Sequence, residues 1–184
     1  MNHMNIIEKC RNYRSQKLHR IAKGIAKVGF SANHLTFLSL ISGLAAIYFL
    51  FTNYYLFALL SLLHLIFDGL DGVVARVTKP TVFGKYFDLI SDSLITALAL
   101  VKAAWFLQDF YAYLAAGVFL LALLLHLKSR LQAPMTFLRT ASVIVLIIAT
   151  NPLFPFQNPL LTLGYLTAGG VSLFSLAKQL QWYI

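Results

Sequence analysis

The sequence predicts an all-α integral membrane protein, a bundle of six transmembrane helices with an amphipathic interfacial helix at its N-terminal end. Three observations predict it. Of 184 residues, 59% are hydrophobic and only 11% charged, and the mean hydropathy is +0.75, far too apolar for an ordinary soluble domain. The apolar residues fall in runs of the length a helix needs to cross a bilayer. Those runs are long and continuous in Leu, Ile, Ala and Phe, which selects helices over the closed barrel, the other structure whose backbone satisfies itself in lipid. The length fits a single domain, residues 1–184, without a separate soluble catalytic module.

Along residues 1–30, Ile6, Ile7, Leu18, Ile21, Ile25 and Val28 alternate with Lys9, Arg11, Arg14, Lys17, Arg20, Lys23 and Lys27 at a roughly helical period. That pattern predicts a helix lying in the membrane interface; the plainer alternative is a solvated basic leader that only fixes topology. The polar stretch is long and the first span lacks a small-residue cleavage site, so a cleaved signal is not expected. Six spans follow within residues 34–180: His34 to Phe51, Tyr54 to Val77, Tyr86 to Leu107, Tyr111 to Leu127, Pro134 to Thr150 and Leu160 to Leu180. Between them stand Thr52-Asn53, a Lys79-Pro80 turn, Gln108-Asp109, the Lys128-Ser129-Arg130 elbow and the Pro-rich stretch Asn151 to Pro159.

The cations set the orientation. Seven of the 15 Lys and Arg residues precede the first span, and with six spans the Lys79/Lys85 turn and the Lys128/Arg130 elbow share their side, which the positive-inside rule makes cytoplasmic. Lys102, near one end of the third span, is expected to snorkel outward. A net charge of +9 is placed to meet anionic headgroups of a cell membrane, so membrane lipids are expected partners and nucleic acid is not. The single Cys10 allows no internal disulfide and fits a reducing cytoplasmic face.

Against this background the acidic residues stand out. There are six, and four of them, Asp68, Asp71, Asp88 and Asp92, fall within one stretch of 25 positions that otherwise reads as membrane-spanning. Carboxylates at that depth cost several kcal/mol and persist mainly where they face a cavity, a partner or a cation. Asp68 and Asp71 are three apart and Asp88 and Asp92 four apart, so each pair projects from one helix face. The short turn between the two spans makes them antiparallel neighbours, so both pairs converge near the cytoplasmic end. Four neighbouring carboxylates repel unless a cation joins them, and a divalent metal is the natural candidate. Gly69, Gly72, Ala75 and Gly84 leave room for a close approach. Arg76 is read as holding a phosphate in preference to pairing with a carboxylate for structure alone.

Read as one string, Asp68 to Asp92 is DGLDGVVARVTKPTVFGKYFDLISD. It resembles the signature of the CDP-alcohol phosphatidyltransferase family, DxxDGxxAR followed after a spacer by GxxxDxxxD, with all eight fixed positions present: Asp68, Asp71, Gly72, Ala75, Arg76, Gly84, Asp88 and Asp92. Chain length, six spans and an amphipathic N-terminal segment resemble the family's smaller members. The resemblance implies an enzyme of phospholipid biosynthesis that displaces CMP from a CDP-linked lipid and joins the phosphate to an acceptor hydroxyl. It implies Asp68, Asp71 and Asp88 as principal ligands of a two-cation Mg2+ or Mn2+ centre, Asp92 as general base and further metal contact, and a homodimer. Asp68, Gly72, Ala75, Arg76 and Gly84 would face the CDP group. Upstream, Asn33 and Thr36 match the family's Pro-Asn-x-x-Thr entry while Ala32 replaces its Pro, which adds those two on the nucleotide side.

The acceptor is less defined. Lys128, Arg130 and Arg139 are candidates for an acceptor phosphate, as in glycerol 3-phosphate or inositol phosphate, with positive-inside anchoring as the alternative. Ser93 follows Asp92 where glycerophosphate-using members commonly carry Lys and inositol-phosphate users Arg, so serine or another alcohol stays open. So does transfer of a phosphoalcohol from a CDP-alcohol to a diradylglycerol. His64 and His126 are read as interhelical hydrogen-bonding residues. A cation or proton transporter would also cluster acids in a membrane, but near the midplane and reachable from both sides.

Overall fold

The computed structural model describes residues 18–136 and 139–184. Seven helices are present among them and no strand: α1 (residues 18–27), α2 (Ala32–Phe49), α3 (Tyr54–Val77), α4 (Val82–Leu107), α5 (Phe110–Lys128), α6 (Arg139–Ala149) and α7 (Gln157–Tyr183). Five of these, α2 to α5 and α7, are long and apolar enough to cross a membrane. Large apolar side chains such as Phe37, Leu59, Leu62, Leu121, Leu163 and Phe174 stay exposed on them, a liability in water and a lipid-facing surface in a bilayer.

Local capping chemistry explains where the helices begin. Ser31 and His34 form a reciprocal cap, the His34 amide donating to Ser31 Oγ and the Ser31 amide to His34 Nδ1, both at 3.3 Å. This box, with His in the place usually held by Glu, starts α2 at Ala32, two residues before the predicted span. Asn53 Oδ1 accepts from the Leu56 amide at 3.1 Å and sets the start of α3, while Asp109 accepts from the Tyr111 amide at 2.9 Å and caps α5. Thr81 Oγ1 accepts from the Gly84 amide at 2.9 Å, so α4 begins at Val82 and takes in Gly84 and Lys85. Pro159 lies in the first turn of α7 and not in the preceding loop, because a proline there gives up no intrahelical hydrogen bond.

Within the fifth predicted span, Pro134 to Thr150, the described helix is α6, 11 residues long; residues 137–138 just before it lie outside the described residues. At 1.5 Å per residue it covers only about half of a hydrocarbon core of roughly 30 Å. The elbow before it is tied down by side chains: His126 Nδ1 lies 2.7 Å from the Ala133 carbonyl, and Ser129 Oγ accepts from the Ala133 amide at 2.9 Å. Arg130 and Leu131 both adopt positive φ, 54° and 66°. Helix α5 therefore ends at the elbow.

The chain divides into two compact units, residues 1–42 with 62–91 and residues 43–61 with 92–184. In the first, Leu18, Ala22 and Ile25 of α1 pack with Leu35 of α2 and Val73 and Val74 of α3, while Arg20, Lys23 and Lys27 are exposed. Ile21 and Val28, also among the apolar positions of the predicted helix, are exposed, and residues 1–17 of it lie outside the described residues. Hydrogen bonds link α2 to α3 at two points, between Thr36 and Asp71 and between Ser39 and His64.

In the second unit, Ala97 and Ala104 of α4, Ala112, Ala115 and Ala116 of α5, and Tyr165 and Ala168 of α7 form one apolar cluster. Small residues allow such helices to approach closely. The Lys102 ammonium donates to the carbonyls of Ile47 and Tyr48 at 2.5 and 2.7 Å, closing the last turn of α2. Among the described glycines of this unit, Gly169 has the least room: an added Cβ would stand 3.1 Å from Ala115 Cβ. Gly169→Leu is expected to force α5 and α7 apart and to cost about 1–3 kcal/mol, the usual range for overpacking. Thermal unfolding in detergent checks it; an unchanged midpoint would show that the two helices have slack there.

Candidate metal and nucleotide site

The two halves of the acidic motif sit on α3 and α4, joined by the turn at residues 78–81. Within the first unit Asp68 and Asp88 each offer a carboxylate oxygen within 4.8 Å of the other, and Asp92 follows Asp88 by one turn along α4. All three are partly buried. Hard oxygen donors at this spacing, with their mutual repulsion otherwise uncompensated, suit a divalent cation such as Mg2+ or Mn2+.

Asp71 is held differently. It is buried, at 5% exposure, and Thr36 Oγ1 donates to its Oδ2 at 2.7 Å. It is not grouped with Asp68 and Asp88, although the sequence made it a principal metal ligand beside them. Its side chain lines a cleft of about 160 Å³ in the first unit instead.

That cleft gathers most of the residues expected on the nucleotide side. Asn33, Thr36, Gly72, Ala75 and Gly84 line it, together with Asp71 and Asp88. Gly84 lets two side chains come close: a Cβ there would lie 2.8 Å from Asn33 Oδ1 and 3.0 Å from Thr81 Oγ1, so a larger residue would push them aside. Asp68 and Arg76 are not in its lining, and Arg76 is exposed. Lys79 and Lys85, taken from the sequence only as topology signals, line the same cleft. Their position on either side of Pro80 and Gly84, inside the spacer of the acidic motif, was the available sign.

Of the three acceptor-phosphate candidates, one reaches the acids. Arg139, at the first position of α6, makes a salt bridge and hydrogen bond through Nη1 to Asp92 Oδ1, with the two side chains 12% and 23% exposed. Lys128 and Arg130 are exposed at the elbow after α5. The two histidines are fixed by interhelical or elbow contacts: His64 Nδ1 lies 2.8 Å from Ser39 Oγ, and His126 is bound to the Ala133 carbonyl.

Comparison with known proteins adds an independent line. The sequence model of the CDP-alcohol phosphatidyltransferase family matches residues 30–174. The inner membrane protein YnjF of Escherichia coli (strain K12) is 37% identical over 82 residues, 44% of this chain and 40% of that protein. Archaetidylinositol phosphate synthase of Pyrococcus horikoshii is 35% identical over 101 residues, 54% of each chain. The matched region is therefore about half the length, or less, of these curated relatives. No solved structure gives a significant match. With the family match running from just before α2 into α7, the chain belongs to the CDP-alcohol phosphatidyltransferase family.

Proposed function

We propose that this protein is a membrane transferase of phospholipid synthesis, acting as one domain and moving a phosphatidyl-type group from a CDP-linked lipid to the hydroxyl of a small alcohol. The observation that carries this reading is Asp88, which belongs both to the acidic group and to the lining of the nucleotide cleft. A diphosphate held there would lie against the carboxylates. A divalent cation such as Mg2+ or Mn2+ held by these carboxylates would supply positive charge to offset the negative charge that develops on the departing CMP.

The chain's own residues supply the rest. Gly72, Ala75 and Gly84 leave the cleft open for cytidine and phosphates, and Lys79 and Lys85 stand at its rim to balance phosphate charge. Asp68 and Asp88 would hold the cations, and Asp71, hydrogen-bonded to Thr36, would contribute from the cleft that Asp88 also lines. Asp92 accepts the proton of the acceptor hydroxyl as that oxygen bonds to the lipid-side phosphorus and the bond to CMP breaks. In-line transfer of this kind depends on positioning and electrostatics, which this arrangement can provide.

The acceptor that fits best is a phosphorylated alcohol, because Arg139 is already beside the base. Glycerol 3-phosphate and inositol phosphate both satisfy that chemistry, and the name of the Pyrococcus relative favours the second. The basic residues of α1 are exposed along one face, which supports an interfacial position on the cytoplasmic side of the membrane, with the cleft opening there. A homodimer completes the reading, as the family resemblance implies. The test is CMP release by purified protein supplied with CDP-diacylglycerol or its ether-linked counterpart, Mg2+ or Mn2+, and a panel of acceptors. Release only with phosphorylated acceptors is expected; none with any donor and acceptor from well-folded protein would overturn the assignment.

Gly84 provides a finer check. Gly84→Ala is expected to push the Asn33 amide out of position and raise the KM for the CDP-lipid about tenfold, equivalent to about 1.4 kcal/mol of binding. The thermal midpoint should stay close to that of the parent. A wild-type KM would show that Asn33 is not part of the nucleotide site.

A further inference from the structure

Within the first unit, α1 presents three sides. Leu18, Ala22 and Ile25 pack with α2 and α3. Arg20, Lys23 and Lys27, at helical spacing, form an exposed basic stripe. Ile21 and Val28, two turns apart, stay exposed on a flank between those two sides. Val28 also opens a shallow groove of about 400 Å³ whose other walls are Gly29, Phe30, His34, Phe37 and Leu38. None of these residues lines the nucleotide cleft. Phe37 and Leu38 lie on α2 five and six residues beyond Ala32, about 8–9 Å along the axis at 1.5 Å per residue. That is the depth to which an interfacial apolar face sinks below the headgroups. His34 Nδ1 accepts from the Ser31 amide, so the hydrogen of the ring is on Nε2, where it can donate.

We propose that this groove and the basic stripe beside it bind one molecule of an anionic phospholipid of the bilayer, an acyl chain lying along Val28, Phe30 and Phe37 and the headgroup phosphate meeting Lys23, Lys27 and His34. Charge complementarity selects the occupant. A zwitterionic lipid gives the stripe little in return, a free phosphate leaves the groove empty, and a second copy of this chain would set two basic stripes against each other. Lys9, Arg11, Arg14 and Lys17 precede α1 in the sequence and add to the positive charge of this segment. Occupancy reaches the cleft through the backbone. α1 ends in a Schellman motif, with the Phe30 amide donating to the Ile25 carbonyl at 3.2 Å, the Gly29 amide to the Ala26 carbonyl at 3.1 Å, and Gly29 at φ 93°. The chain passes straight from this turn into Ser31, Ala32 and Asn33, which line the cleft. A lipid that fixes α1 therefore fixes one wall of the cleft and lowers the KM for the CDP-lipid; this consequence, unlike the site itself, rests on the transferase reading above.

Binding and turnover are tested separately. The full chain in mild detergent is titrated with dioleoyl phosphatidylglycerol or dioleoyl phosphatidylcholine, and bound lipid is counted by native mass spectrometry. The parent is expected to bind the anionic lipid at least about tenfold more tightly than the zwitterionic one. Lys23→Gln combined with Lys27→Gln should remove most of that preference, at about fivefold per lysine, whereas Lys79→Gln combined with Lys85→Gln, in the nucleotide cleft, should leave it in place. Phe37→Ser, which opens the groove and keeps every charge, should weaken binding of both lipids, and excess inorganic phosphate should displace neither. No preference for the anionic lipid, a preference that survives loss of Lys23 and Lys27, unchanged binding by Phe37→Ser, or displacement by phosphate would overturn the site. So would a two-chain mass that forms without lipid and is abolished by Phe37→Ser, which would give the groove to a second copy. In phosphatidylcholine nanodiscs, added phosphatidylglycerol should lower the KM for the CDP-lipid in the parent and not in the Lys23/Lys27 variant; a KM blind to it in a chain that binds it would overturn the coupling to the cleft. Lipid binding as described without CMP release keeps this site and loses the transferase assignment, and CMP release without lipid preference does the reverse.

Discussion

Replacing Asp92 by Asn is expected to slow CMP release by about 10²- to 10⁴-fold, the usual worth of a positioned general base. The substitution is close to isosteric, and the amide oxygen still offers Arg139 an acceptor in place of Oδ1. What the amide lacks is the ability to take a proton from the acceptor hydroxyl. The loss should therefore appear in single-turnover rates with the CDP-lipid KM nearly unchanged, because Asp92 is not among the residues lining the nucleotide cleft. Mn2+ binding should be largely retained through Asp68, Asp71 and Asp88. A variant that turns over within tenfold of the parent would remove Asp92 from the role of base.

Asp88→Asn is expected to do broader damage. Asp88 is shared between the acidic group and the nucleotide cleft, so the loss of its charge should weaken cation binding and CDP-lipid binding together. Second-layer partners of metal ligands typically account for 10- to 100-fold in affinity, and a direct ligand should exceed that. Paired titrations with Mn2+ and with CDP distinguish this from Asp92→Asn, where only the rate falls. If Asp88→Asn lowered the rate but bound both ligands as the parent does, the site would have to be rebuilt around Asp68 and Asp71.

Much of this was legible in the sequence because it is local. The span Tyr54 to Val77 was bounded by its apolar run and matches α3, and the eight motif positions lie on two consecutive helices joined by a four-residue turn. Misplaced boundaries came from side-chain caps. Thr81 and the Ser31–His34 pair extend α4 and α2 beyond the apolar residues that signal them, and hydropathy does not register a hydroxyl accepting from an amide. The elbow after α5, held by contacts of His126 and Ser129 with Ala133 and by positive φ at Arg130 and Leu131, likewise leaves no mark in the hydropathy. The Arg139–Asp92 pair joins residues 47 apart in sequence. No spacing rule marks such a pair; only the folded chain does.

The two hydrogen-bonded contacts between α2 and α3 also bear on how the protein is assembled. Thr36 and Ser39 are three apart on one helix, and their partners Asp71 and His64 are seven apart on the other, so each pair falls on one helix face. In hydrocarbon a carboxylate or imidazole deprived of its partner is costly. If α2 slid by one turn along α3 during insertion, both contacts would break together and Asp71 and His64 would be left facing apolar surroundings. The pair of contacts thus acts as a key for registration, rejecting misaligned helices before the cleft beside them exists.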